Sequence, residues 1–293
     1  MSAQGSWVWL NGDWIPASSV RVSPLSEGFM FGFGLFETIG LIDGRPAFVS
    51  AHHERMSRSG AKLGLSVKST VQDWVRQGAE LARRNGHESG VLKRVVFKDV
   101  NGVSELVSTR PNPYSEHDYA YGFSLKTRTE ARPEGAARDK SLSYLDDLVA
   151  RQRARGEGFQ DALYVSATGE IYEGAATNFF AIIEGRLVTP PVEKHIIPGV
   201  IRSQILTLVN GNEAAGVARD IELRDVLLGG EARALTIAEV RGADEVFVTN
   251  AALGVMPVSR IDETIFPLRP HGLVPHLRRA LARAQRASLI EVR

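Results

Sequence analysis

A lone lysine and a later carboxylate are the residues whose types best suit joint chemistry in this chain. Lys140 stands just ahead of an apolar helix start, in Asp139-Lys140-Ser141-Leu142-Ser143-Tyr144. Glu173 ends the run Ile171-Tyr172-Glu173, which bends through Gly174-Ala175-Ala176-Thr177 into Asn178-Phe179-Phe180. A lysine amine condenses with an aldehyde, and a carboxylate beside a pyridine nitrogen keeps that nitrogen protonated. The pair therefore suits an aromatic aldehyde cofactor. Taken singly, a lysine before a helix is an ordinary solvated charge and a glutamate on a strand an ordinary surface residue. The elements around them have to decide.

Leu145, Leu148 and Val149 recur at helical spacing, which predicts a helix over 142–155. A strand at 162–166 follows, then a turn at Thr168-Gly169 and a second strand at 171–174. Toward the N-terminus, Trp7-Val8-Trp9-Leu10 and Asp13-Trp14-Ile15 flank Asn11-Gly12 and read as a hairpin. Gly32-Phe33-Gly34 lacks the third glycine and the strand-turn-helix setting of a dinucleotide fingerprint. Close backbone approach is the better reason for these glycines. His52-His53-Glu54-Arg55-Met56 opens a helix carrying on to Lys62. The two histidines are adjacent, so they face different ways, and a metal site is not expected.

A second helix spans 69–85, and a strand at 91–97 alternates Lys93 against Arg94, which places them on opposite faces. A short hairpin is expected over 99–112, a strand over 119–127, and a polar linker over 128–138 that divides a 1–127 domain from a 139–293 domain. Pro198-Gly199 feeds a helix from Val200, whose first N–H groups suit a phosphate. A short strand at 218–223, a helical turn at 233–240, a buried strand at 243–252 and a basic amphipathic helix at 273–289 complete the chain.

Composition excludes several classes. The 293 residues suffice for one large or two modest cores, with 43% hydrophobic and 24% charged residues. A formal net charge of +1 gives no reason to expect nucleic acid or an anionic membrane as partner. The absence of cysteine removes disulfides, thiolate metal sites and a cysteine nucleophile. No apolar run reaches the length of about 18 residues that a membrane span needs, and the N-terminus lacks a signal-peptide pattern, so a cytoplasmic protein is expected.

Seven pieces in order carry a family resemblance: Gly34-Leu35-Phe36-Glu37-Thr38, His52 to Met56, Lys140 to Leu145, Glu173 to Phe179, Thr189-Pro190, Gly199-Val200-Ile201-Arg202, and Asp244 to Asn250. Together they resemble the fold-type IV pyridoxal-phosphate enzymes, the class IV aminotransferase family, over most of the chain from Trp9 to Val258. The resemblance implies an α/β (α+β) fold, with a small N-terminal α/β domain and a larger barrel-like C-terminal domain. It implies pyridoxal 5'-phosphate as cofactor, a small-molecule amino substrate and a homodimer with a shared active site. Lys140 is similar to the catalytic lysine that bonds the cofactor, and Glu173 to the acid on its ring nitrogen. Arg55 and the N–H groups of Val200 and Ile201 correspond to the phosphate site, with a donor from Thr249 or Asn250. Tyr144 corresponds to a residue near the cofactor.

The same resemblance bears on the reaction. Tyr144 follows Lys140 by four positions, as in the lyases and D-amino-acid enzymes of the family. Phe36-Glu37-Thr38, Thr249-Asn250-Ala251-Ala252 and Gly90-Val91-Leu92-Lys93 are most similar to 4-amino-4-deoxychorismate lyase. That places Phe36, Thr38, Lys93 and Asn250 at the substrate. The loop Lys98-Asp99-Val100-Asn101-Gly102 departs from the lyase pattern by lacking a second arginine, and Arg110, though nearby, is not assigned that role. An aminotransferase is the competing expectation.

Overall fold

The computed structural model describes residues 6–129, 138–211, 220, 223 and 227–291. These form two compact units: residues 1–113, 139–144 and 285–293 in one, 114–138 and 145–284 in the other.

The first unit is built on a six-stranded antiparallel sheet. Its strands are β1 (Trp7–Leu10), β2 (Asp13–Pro16), β3 (Gly34–Ile42), β4 (Arg45–Pro46), β5 (Gly90–Asp99) and β6 (Gly102–Pro111), in the order β2-β1-β6-β5-β3-β4. The short helix α1 (Glu27–Phe31) precedes β3, and α2 (Val49–Leu63) and α3 (Val71–Asn85) lie between β4 and β5. Thr70 caps α3 with a reciprocal bond to Asp73, and left-handed Gly64 and Gly86 end the two long helices. Leu35, Ile39, Met56, Trp74, Leu81, Leu92 and Val96 make one buried cluster of helix and strand residues. Burying such side chains contributes about 1.5–3 kcal/mol each. The 99–112 stretch is not a hairpin of its own. It supplies the turn and β6, which pairs with β5 from Asp99↔Gly102 to Gly90↔Pro111.

The second unit carries a mixed sheet with the strand order β12-β11-β10-β13-β14-β7-β8-β9 and β15 on β14. Its strands are β7 (Phe123–Thr129), β8 (Asp161–Val165), β9 (Ile171–Gly174), β10 (Asn178–Ile183), β11 (Arg186–Thr189), β12 (Gly230–Ala232), β13 (Glu245–Asn250), β14 (Gly254–Ile261) and β15 (Thr264–Ile265). The helices α4 (Glu116–Tyr121), α5 (Leu145–Gly156), α6 (Val200–Asn210) and the C-terminal helix Leu273–Ala287 accompany them. Strands β10 and β13 are buried on both faces, as central strands are, and Phe180 stacks on its partner Phe247 at 4.8 Å.

Three boundaries differ from expectation. Tyr119 is in α4 rather than a strand, because Ser115 and Asp118 form a capping box. The anticipated helix start at Leu142 falls at Leu145, since Leu142 N–H donates to Gly34 C=O and Ser141 bridges Leu35 instead. That pairing counts 139–144 with the first unit, while β7 pairs with β8 and β14 and counts 114–129 with the second. The units therefore interleave in sequence and do not divide at 127 and 139. Residues 130–137 of the expected linker, and most of the expected 218–223 strand, lie outside the described residues.

Candidate active site

In the first unit the chain around Lys140 is fastened to the start of β3. Phe36 N–H donates to Lys140 C=O at 2.9 Å, and Asp139 accepts from Ser59 Oγ at 2.6 Å and from Lys62 Nζ at 3.3 Å. Gly34 makes the approach possible: a Cβ there would lie 2.6 Å from Leu142 Cδ1 and 2.7 Å from Val96 C=O. Lys140 Nζ sits 4.4 Å from the Phe36 ring centroid and 5.9 Å from that of Tyr144, and the two rings meet edge to face at 5.4 Å. A ring face attracts a cation through its quadrupole, so these rings hold the Lys140 amine in place over Phe36.

Thr38 pairs with Lys93 across β3 and β5, and Lys93 Nζ stands 4.6 Å from the same Phe36 centroid. Burial of the ammonium, then the charge of Arg110, push the Lys93 pKa down. Lys93, Thr38 and Phe36 thus share one sheet face, and Arg110, opposite Val91, joins it. Arg94 takes the other face, wholly buried, bonded to Glu105 at 2.9 Å and to Gln77, with Trp74 at 4.4 Å. Burial lowers the Arg94 pKa to about 10, with Glu105 opposing. The alternation read from the sequence thus separates an outward-facing lysine from a core ion pair.

Arg55 is buried on α2 with Nε 2.7 Å from Glu37 Oε1 and Nη2 on Oε2 at 2.5 Å. His52 Nδ1 meets the same Oε2 at 2.7 Å, whereas His53 Nε2 contacts Ser69 C=O, so the adjacent histidines do diverge. Burial raises the Glu37 pKa, but Arg55 and His52 outweigh it and hold the carboxyl at about 2. Burial lowers the His52 pKa, which leaves a neutral ring donating through Nδ1. Glu37 therefore orients Arg55 by a two-point grip. Sequence reading passed over Glu37 although it lies inside Phe36-Glu37-Thr38. Its signal was a carboxylate at an inward-facing strand position.

In the second unit Glu173 is buried at the end of β9. Its Oε2 accepts from Ile197 N–H at 3.1 Å and from Asn178 Nδ2 at 3.3 Å. Asn178 also donates to Ile197 C=O at 2.9 Å, and its Oδ1 fills the space beside Gly199, where a Cβ would fall 1.9 Å away. Asn178 thus ties the acid to the chain that enters α6. Arg138, assigned to the linker from sequence, grips Asp147 through both terminal nitrogens and stands 3.7 Å from Glu173 Oε1; Tyr164 hydroxyl donates to Asp147 at 3.1 Å.

Gly199 is the N-cap of α6, and no side chain caps its first turn, where the Val200 and Ile201 N–H groups lie. Thr249 is wholly buried on β13, and its Oγ1 has no hydrogen-bond partner among the described residues. A buried hydroxyl left so is rare and points to a ligand group that completes it. Asn250 is differently employed: Nδ2 donates to Ala176 C=O at 3.0 Å, and Oδ1 accepts from the N–H groups of Ala252 and Leu253 at 2.8 and 2.9 Å. Its side chain braces two turns. No cluster of potential metal ligands occurs among the described residues.

The second unit offers an open helix start, an orphan threonine hydroxyl and a buried carboxylate, and the first a gripped arginine and a lysine beside aromatic rings; each is a group type that a phosphorylated pyridine aldehyde calls for. Residues 34–261 match the family described as amino-transferase class IV, and the chain belongs to that family of pyridoxal-phosphate enzymes. A D-alanine aminotransferase of Staphylococcus aureus is 26% identical over 87% of this chain and 89% of its own. The crystal structure of the Escherichia coli branched-chain amino acid aminotransferase has a TM-score of 0.81 at 20% identity, over 98% of this chain and 97% of that one. A Legionella pneumophila structure titled "Putative 4-amino-4-deoxychorismate lyase" scores 0.78 at 22% identity, over 92% and 97%. The mixed α+β architecture is that of the fold-type IV enzymes.

Proposed function

We propose that this chain is a pyridoxal 5'-phosphate enzyme that cleaves 4-amino-4-deoxychorismate to 4-aminobenzoate and pyruvate. The observation that carries the reading is the placement of Lys140 and Lys93 against one ring, Phe36, with Arg110 beside Lys93. When bound, the cofactor supplies an electron-withdrawing ring joined to the substrate amine. Lys140 holds the cofactor, yields it to the substrate amine, and then takes the proton from the carbon bearing that amine. Pyruvate would leave as its enolate and take up the proton Lys140 has removed, the substrate ring would become aromatic, and Lys140 would take the cofactor back to release 4-aminobenzoate. Glu173, with Oε2 pinned by Asn178 and Ile197, keeps the proton on the pyridine nitrogen. Arg55, the first turn of α6 and Thr249 receive the phosphate, and Tyr144 borders the cofactor. Lys93 and Arg110 take substrate carboxylate, and Thr38 lies beside them on the sheet.

An aminotransferase is the second reading. It is favoured by the relatives named as D-alanine and branched-chain-amino-acid aminotransferases at 25–26% identity. It is favoured too by the missing arginine in Lys98-Asp99-Val100-Asn101-Gly102. Here Lys140 would return the proton to the cofactor instead. A coupled assay decides: the lyase releases pyruvate and 4-aminobenzoate in equal amounts. Amino exchange between a D- or L-amino acid and a 2-keto acid, without cleavage of aminodeoxychorismate, would overturn it.

A cytoplasmic homodimer with a shared active site completes the proposal. Leu25, Phe29, Met30 and Phe31 on and before α1 are 77%, 68%, 55% and 71% exposed, an apolar patch suited to a second copy. It adjoins the catalytic segment, because Ser143 Oγ donates to Phe31 C=O at 3.4 Å. No helix among the described residues is long and apolar enough to cross a membrane.

A further inference from the structure

Asp139 stands directly before Lys140, and its carboxylate is held by one helix of the same unit. Ser59 Oγ donates to Oδ1 at 2.6 Å, and Lys62 Nζ donates to the same oxygen at 3.3 Å. Both donors stand on α2, the helix that carries Arg55. Ser59 follows Arg55 by four positions, so the two side chains share a face of α2, and both are buried. Burial lowers the His52 pKa most, and the charges of Arg55 and Lys140 add to it against Glu37. The Lys140 amine therefore lies near this stretch of α2.

On its other side the segment is held by β3. Phe36 N–H donates to Lys140 C=O and Leu142 N–H to Gly34 C=O, each at 2.9 Å, and Ser141 bridges Leu35. Contacts along one strand form a line, about which a segment can still turn. The Asp139 carboxylate adds a point off that line. A lysine side chain has many rotamers, so the place its amine reaches depends on where its backbone is fixed. Misplacing a reacting group by about 1 Å can cost roughly a hundredfold.

We propose that Asp139 is a positioning residue for Lys140: by accepting from Ser59 and Lys62 of α2, its carboxylate sets the amine relative to Arg55, over the span that the aldehyde and phosphate of the cofactor must fit. The inference rests on the roles proposed for Lys140 and Arg55. In the step concerned, the Lys140 nitrogen forms a double bond to the aldehyde carbon. The two amine protons leave with the aldehyde oxygen as water. Once Arg55 holds the phosphate, that bond closes within one complex, so its equilibrium follows the placement of the amine.

Two forms of the cofactor separate this role from a merely structural one. Pyridoxamine 5'-phosphate carries an amine where the aldehyde stands, so it has the same phosphate but cannot bond to Lys140. Equilibrium titration of the cofactor-free full chain gives dissociation constants for it and for pyridoxal 5'-phosphate. Asp139→Ala and Ser59→Ala should each weaken pyridoxal 5'-phosphate about tenfold, the effect of losing a hydrogen bond to a charged group, and leave pyridoxamine 5'-phosphate within about twofold. The double variant should bind no more weakly than either single one, because both remove the same bond. Asp139→Asn keeps an oxygen for Ser59 and loses only the exposed Lys62 ion pair, so it should stay within about threefold of wild type. An Asp139→Ala enzyme that loses both compounds equally overturns the inference. If that variant does not fold, Ser59→Ala and Asp139→Asn decide by the same two constants. A wild type that binds no pyridoxal 5'-phosphate overturns the proposed function and this inference together, whereas equally tight binding by wild type and Asp139→Ala overturns the inference alone.

Discussion

Glu37 is buried and ionised in the first unit, gripping Arg55 and His52. Its carboxyl is held at about 2 against an ordinary 4.5, so its contribution is complete above pH 4.5 and is lost as pH falls toward 2. That gap is worth roughly 3 kcal/mol at about 1.4 kcal/mol per pH unit. His52 acts in the same direction, because its pKa is also lowered and the unfolded chain takes up that proton first. Urea titrations at several pH values should show stability falling through this window, and Glu37→Gln should flatten the fall while lowering stability at neutral pH. An unchanged slope in the variant would mean that the grip on Arg55 carries no linkage.

At the scale of elements, the site depends on where backbones approach each other. Gly199 lets α6 begin against Asn178, and Gly34 lets the Lys140 segment lie on β3. Gly199→Ala should displace Asn178 or the first turn of α6 and weaken cofactor binding about tenfold or more, the effect of losing one charge-assisted contact. Equilibrium titration with pyridoxal 5'-phosphate checks this, with circular dichroism to confirm the fold. Elements with strong periodicity, such as α3 and the β5 alternation of Lys93 and Arg94, were legible in the sequence. So were the motifs holding Lys140, Glu173 and Arg55. What local pattern could not reveal depends on distant partners. Leu142 reads as the start of a helix but donates to Gly34 C=O, beside Ser141 bridging Leu35. Arg138 reads as loop until Asp147 and Glu173 are seen beside it. The three turn-bracing bonds of the Asn250 side chain likewise join residues distant in sequence or hidden in a loop.

At the scale of the whole molecule, the exposed residues of α1 bear on assembly. Phe29→Asp with Phe31→Asp should convert a dimer into monomers in sedimentation equilibrium, since charges at the centre of an apolar interface cost several kcal/mol unpaired. A wild-type monomer would remove the shared-site proposal. One covalent attachment, at Lys140, underlies the proposed function. Reduction of the reconstituted enzyme with borohydride, followed by peptide mass mapping, reads it directly. A single phosphopyridoxyl addition on Lys140 Nζ is the predicted result, and an addition confined to another lysine, or none at all, would contradict it.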